Sequence, residues 1–142
     1  MHGSPLGVGS DIGGSVRIPA NFNGLFGLRP SYDRIPYEGA VNSLLGQESV
    51  SSVLGPLSST LSGIKVFFKA VLDGRPWDRD PLAYRLPWNQ DNYQLSKHNG
   101  GNGLVFGFLW DDKFLKPHPP VWRAMEMTKD ALMAAGHKGQ LH

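Results

Sequence analysis

The chain has 142 residues, 40% of them apolar and 18% charged, with a formal net charge of +2. The apolar share excludes a solvated, disordered chain, and a charged fraction below the roughly 25% usual for soluble domains assigns much of the surface to contact with other protein. No basic run supports nucleic-acid binding, and the absence of cysteine excludes disulfides, thiolate metal sites and a cysteine nucleophile.

Eighteen glycines and eleven prolines make loops plentiful. In chain order, LGVGSD at 6–11 is expected to form a buried strand that leads into a turn at Ile12-Gly13-Gly14. Pro19 fits only the first turn of a short helix, which Gly24 stops. LFGLRP at 25–30 reads as a second short strand, and residues 31–55, with weak periodicity, as a long surface excursion. In SSTLSGIKVFFKAVLDG, Leu61, Ile64, Phe68, Val71 and Leu72 recur near helical spacing, with Ser58 or Ser59 as the starting cap and Gly74 as the end. A connection rich in proline and tryptophan follows. LVFGFLW at 104–110 is an apolar strand candidate ended by Asp111 and Asp112. A last helix begins at Pro119-Pro120 and stops at Gly136, with Val121, Met125, Leu132 and Ala135 along one face. The alternation of strands and helices points to an α/β or α+β architecture. No internal repeat, signal peptide or apolar run long enough to span a bilayer is found, so the expected location is cytoplasmic.

The chemistry concentrates in DIGGSVR at 11–17. Neither GxxxxGK[ST] nor GxGxxG is met, which argues against a phosphate cradle. GxSxG is absent, which argues against an α/β-hydrolase elbow. A third reading makes the serine a nucleophile and the surrounding backbone N–H groups an oxyanion hole, with glycines letting those donors converge unobstructed. The plain alternative is a tight turn between strand and helix. Elsewhere the pattern is thin. His2, His98, His118, His137 and His142 are scattered without metal-ligand spacing. Asp111 and Asp112, as neighbours at a strand end, point apart. Trp77, Trp88, Trp110 and Trp122 read as packing residues rather than an acyl pocket.

The longer string GSPLGVGSDIGGSVRIPA, followed by FNGLFGLRPS, closely resembles the nucleophile segment of the amidase signature family. AVNSLLGQESVSSVLGPLSSTLSGIKVFFKAVL and KPHPPVWRAMEMTKDALMAAGH are similar to its fungal acetamidase-like branch. The resemblance runs from about Gly3 to about His137. It implies an α/β fold in which helices surround a mixed β-sheet core, and hydrolysis of small carboxylic amides by a Ser–cisSer–Lys triad. It also implies that Ser15 is the nucleophile and that the N–H groups around Ile12, Gly13, Gly14 and Ser15 form the oxyanion hole. Asp11 and Arg17 are expected to support the site through hydrogen bonds, and Ser10 to join the network around Ser15. No metal or organic cofactor, nucleic acid or membrane is implied.

In such enzymes a lysine acts through a bridging serine in a GGSSGG-like segment upstream of the nucleophile, and a serine hydroxyl is a weak nucleophile without such a base. The fourteen residues before Ser15 hold neither part, and Lys65 and Lys69 do not match the catalytic position. MHGSPLG resembles the middle of a strand, and GHKGQLH departs from the apolar strand expected after the last helix. The expectation is therefore a partial amidase domain over 1–142, truncated at both ends, with the nucleophile loop at 3–30 and a helix-rich remainder. Two function classes follow: an amidase-family hydrolase inactive as the isolated chain, or a non-catalytic fragment that associates through exposed core surface.

Overall fold

The computed structural model describes residues 3–43 and 46–141, so Met1, His2 and His142 lie outside the described residues. The chain forms two compact units, Met1–Trp88 and Asn89–His142.

The first unit is built on a three-stranded antiparallel sheet. Strand β1 (Leu6–Asp11) is followed by helix α1 (Arg17–Phe22) and a two-residue strand β2 (Phe26–Gly27). Strand β3 (Val53–Ser58) then enters between them, giving the order β1-β3-β2. The register runs from Leu6 opposite Ser58 to Asp11 opposite Val53, and Phe26 also lies opposite Ser58. Helix α2 (Leu61–Asp73) packs on β3 and buries Ile64 and Leu72. With Val16, Ala20, Ile35, Val53 and Ala83 these form the core.

Local chemistry accounts for the helix ends. Pro19 sits in the first turn of α1, where its missing N–H is not needed. Gly24 follows at φ +63°, a left-handed stop. The cap of α2 is Thr60, in an extended conformation, whose hydroxyl accepts from Gly63 N–H at 3.0 Å. Ser58, expected as a cap with Ser59, is instead the last residue of β3. Its hydroxyl donates to the Pro5 carbonyl at 3.0 Å, which ties the end of β3 to the start of β1.

Three further expectations for this unit are corrected. β1 is a strand, but of its residues only Asp11 is buried, because it lies at the edge of the sheet. LFGLRP contributes only Phe26–Gly27 to the sheet. The stretch 31–55 is not wholly a surface excursion, since its end opens the central strand. That strand contains Gly55 and Pro56, residues that usually weaken or exclude an interior strand. A Cβ on Gly55 would stand 2.1 Å from the Leu28 carbonyl oxygen, so the strand needs glycine where the chain after β2 crosses it.

In the second unit a short helix α3 (Gln90–Tyr93) and a 3-10 segment (Ser96–Gly101) lead to strand β4 (Val105–Phe108). Helix α4 (Pro119–Ala134) and strand β5 (Lys138–Leu141) complete a β-α-β unit in which β4 and β5 pair in parallel, Val105 opposite Lys138. GHKGQLH, which departs in composition from the apolar strand expected after the last helix, thus still supplies a strand, although KGQL is largely polar. Its entry is fixed by Gly136 at φ +85° and by Lys138 N–H donating to the Leu104 carbonyl at 2.8 Å. The partly covered side of α4 carries Trp122, Met125, Lys129 and Leu132, whereas Val121, expected on that face, is exposed. Trp122 stacks on Trp110 at 5.4 Å between ring centroids, a packing role. No apolar residue is fully buried among the described residues of this unit.

The crossing at Gly55 gives a direct test. Gly55→Ala is expected to destabilise the chain by about 1–3 kcal/mol through overpacking. Gly7→Ala, whose Cβ would meet nothing within 4 Å, should stay within about 0.5 kcal/mol of the parent. Urea unfolding followed by circular dichroism measures both.

Candidate functional site

β1 ends at Asp11, whose side chain is completely buried. Its two carboxylate oxygens accept five hydrogen bonds from the turn that follows. Oδ1 accepts from Gly14 N–H at 2.7 Å and from Arg17 Nη2 at 3.0 Å. Oδ2 accepts from Val16 N–H at 3.2 Å, Arg17 N–H at 3.3 Å and Arg17 Nε at 3.0 Å. The guanidinium is therefore bidentate on the carboxylate, while its outer face remains in solvent. The Arg17 side chain, aided by these backbone amides, holds the Asp11 carboxyl well below the usual carboxylate range, against the opposing effect of burial. The same contact raises the Arg17 guanidinium above its ordinary value.

This pinning places Ser15. The amides of Gly14 and Val16, on either side of the serine, both point at Asp11. Gly14 has φ +130°, and a Cβ there would lie 2.6 Å from Ile18 Cδ1, so only glycine fits. Val16 is wholly buried, whereas Ser15 is exposed. Among the described residues its hydroxyl has no hydrogen-bond partner. Gly13 is also exposed, a Cβ on it would meet nothing within 4 Å, and its φ lies outside the left-handed region. Ile12 is half-buried.

Of the expected site residues, the structure brings Asp11, Gly14 and Arg17 together around the carboxylate, with Ile12, Gly13 and Ser15 on the turn it braces. It does not join Ser10 to them: among the described residues no hydrogen bond links Ser10 to Ser15. Lys69 is paired with Asp73 on α2. Asp111 accepts from Lys113 N–H, and Asp112 from Phe114 and Leu115 N–H, so both cap a loop. No group of three or more metal-ligating side chains occurs among the described residues, and no described helix is long and apolar enough to cross a membrane.

A cavity of about 530 Å³ in the first unit has Ile12 on its wall, together with Asp33, Tyr37, Asn42, Ser52 and Asp80. Reading the sequence missed it. Apart from Ile12, its residues come from 32–52 and 80–82, which lack periodicity, and a long-range hydrogen bond, Tyr37 N–H to Asp80 Oδ2 at 3.3 Å, joins the two segments.

The architecture is that of the amidase signature fold, a mixed α/β arrangement. It superposes on fatty acid amide hydrolase with a TM-score of 0.83 and 34% identity, covering 96% of this chain and 23% of that one. A bacterial aryl acylamidase of the amidase signature enzymes, at 19% identity and a TM-score of 0.73, shares the fold over 97% of this chain and 27% of its own. The family model described as Amidase matches residues 1–140, and the chain belongs to that family. The chain is 45% identical over 139 residues to an acetamidase of Emericella nidulans, which covers 96% of this chain and 25% of the relative. It is 35% identical to a vitamin D3 hydroxylase-associated protein of Gallus gallus, covering 95% of this chain and 28% of the relative. The chain thus spans about a quarter of the length of the curated relatives it matches.

The Asp11 contact makes a pH-dependent prediction. With its folded pKa depressed, the carboxylate contributes stability that is complete above its unfolded value of about 4 and is lost as pH falls toward the folded value. Asp11→Asn should therefore cost about 2 kcal/mol or more at pH 7, and the gap to the parent should narrow progressively below about pH 4. Denaturant midpoints of both proteins between pH 7 and pH 2 measure it. A constant gap across that range would show that the ionised carboxylate is not what holds the turn.

Proposed function

We propose that these residues form the nucleophile segment of an amidase that hydrolyses small carboxylic amides by a Ser–cisSer–Lys mechanism, with Ser15 as nucleophile. The observation that carries this reading is an exposed serine, held between two amides bound to Asp11, in a chain of the amidase family. Ser15 Oγ attacks the amide carbonyl carbon, the C–N bond breaks, and water then releases the acid. The tetrahedral oxyanion needs fixed donors at the turn. Gly14 N–H is already given to Asp11, so the donors available to an oxyanion are those of Ile12, Gly13 and Ser15. Asp11 and Arg17 act as positioning residues that fix this backbone. The open space at Gly13 supports the reading, because nothing among the described residues demands glycine there, and on this reading a substrate approaching the turn would. No metal or organic cofactor enters this chemistry.

The proton of Ser15 must go to a base. Under this reading the bridging serine and the lysine come from residues outside 1–142, so the chain by itself does not turn over. A second function class, association without catalysis, is favoured by the exposed apolar side chains, among them Phe22 at 81% and Phe114 at 85% exposure.

Two measurements test the proposal. In a longer protein that carries these residues together with an upstream lysine and GGSSGG-like segment, Ser15→Ala should lower amide hydrolysis by at least about a thousandfold while leaving the circular dichroism spectrum unchanged. Retained turnover would remove Ser15 as nucleophile. For the 142-residue chain alone, a fluorophosphonate probe should label the parent no more than the Ser15→Ala control. Rapid labelling confined to Ser15 would mean that a residue within the chain supplies the base.

A further inference from the structure

The cavity next to the nucleophile turn has a one-sided chemistry. At about 530 Å³ it has the size of a small-ligand site. Its lining includes the carboxylates of Asp33, Glu38 and Asp80, and among the described residues no lysine, arginine or histidine. The walls are held from both segments. Asp80, 6% exposed, accepts from Tyr37 N–H at 3.3 Å and Leu82 N–H at 3.0 Å, and the Tyr37 hydroxyl donates to Ser52 Oγ at 3.0 Å. Asp33 differs. Its backbone is fixed at φ +57° by Tyr84 N–H donating to its carbonyl at 2.9 Å. Its half-buried carboxylate, however, has no hydrogen-bond or ion-pair partner among the described residues. Burial first, and the charge of Asp80 second, push that carboxyl above its ordinary value. A bound cation would relieve both effects.

We propose that this cavity, which shares Ile12 with the nucleophile turn, is the subsite for the amine side of the substrate, and that Asp33 selects there for a group that is, or becomes, an ammonium ion. The inference rests on the amidase reading of Ser15. Hydrolysis of an amide RCONHR′ by one water yields the carboxylate RCOO⁻ and, at neutral pH, the ammonium R′NH₃⁺. The departing nitrogen therefore gains two protons in all, one as the C–N bond breaks to give the amine R′NH₂ and a second that makes it the ammonium. A cavity that shares Ile12 with the nucleophile turn and bears carboxylates, with no cation among its described lining residues, suits that product, and suits amides whose nitrogen substituent already carries a protonated amine.

The test is binding, which does not require turnover. The full chain and its Ser15→Ala and Asp33→Asn variants are titrated with n-butylammonium chloride and with n-butanol, at constant chloride, and followed by amide proton–nitrogen NMR. Asparagine tolerates the left-handed conformation of position 33, so the second variant keeps its backbone. The expected result is that the parent and Ser15→Ala bind butylammonium about tenfold more tightly than butanol, and that Asp33→Asn binds the two alike. Equal binding by the parent, or a preference that survives in Asp33→Asn, overturns the proposal. A Ser15→Ala enzyme that still hydrolyses amides would overturn the nucleophile reading instead, so the two failures are separable.

Discussion

A carboxylate with no exposed surface sits at the junction of β1 and the turn that follows, and its solvation has to be replaced by the chain itself. Burying an ionised carboxylate without partners is prohibitive, so the turn must fold until enough donors face it. Asp11 accepts five such bonds, three of them from backbone amides of residues 14, 16 and 17. Because two of those amides flank Ser15, they fix the backbone from which its side chain projects. The dependence extends backward. β1 is ordered by β3, whose last residue ties it down through the Ser58 hydroxyl. Val16, wholly buried, closes the turn from below, against Gly9 of β1 and Gly27 of β2. A loss of β3 would therefore be felt at Ser15, although the two do not touch through any hydrogen bond.

Much of the turn was legible before its geometry was known, because each signal there is local. Asp11 and Arg17 are six residues apart, Gly24 follows a short helix, and Pro19 fixes where that helix starts. Helices α2 and α4 were legible for the same reason, since their apolar spacing repeats within one segment. β3 was not legible. Its sequence VLGPLS carries a glycine and a proline, both turn signals, in a strand paired on both sides. The glycine is explained only by the Leu28 carbonyl that crosses it, a contact between residues 27 positions apart in sequence. Thr60 rather than Ser58 or Ser59 caps α2 because β3, which the sequence did not announce, runs to Ser58 and leaves that residue inside the sheet. β5 was obscured by its polar composition. It is specified by the parallel partner β4 and by the left-handed glycine before it, not by its own apolar content.

The same contrast applies to chemistry. A nucleophile turn is compact in sequence, so family resemblance and geometry coincide on it. The cavity beside it is assembled from 32–52 and 80–82, and neither segment announces the other. Its character depends on which charges meet in space: carboxylates at 33, 38 and 80 without a cation among the described lining residues. A composition with a net charge of +2 gives no hint of such a local excess of negative charge.

The paired glycines before Ser15 can now be separated by cause. Gly14 is required by the fold, since its φ of +130° and the Ile18 side chain leave no place for a Cβ. Gly13 is not required by anything in the described chain: its backbone is outside the left-handed region and the space beside it is open. Glycine costs conformational entropy wherever it stands, so a position that gains no structural relief from it calls for another reason. On the proposed reading that reason is the substrate, because a side chain at position 13 would stand over the N–H groups that must face the oxyanion. One glycine shapes the turn, and the other keeps its donors open to what approaches.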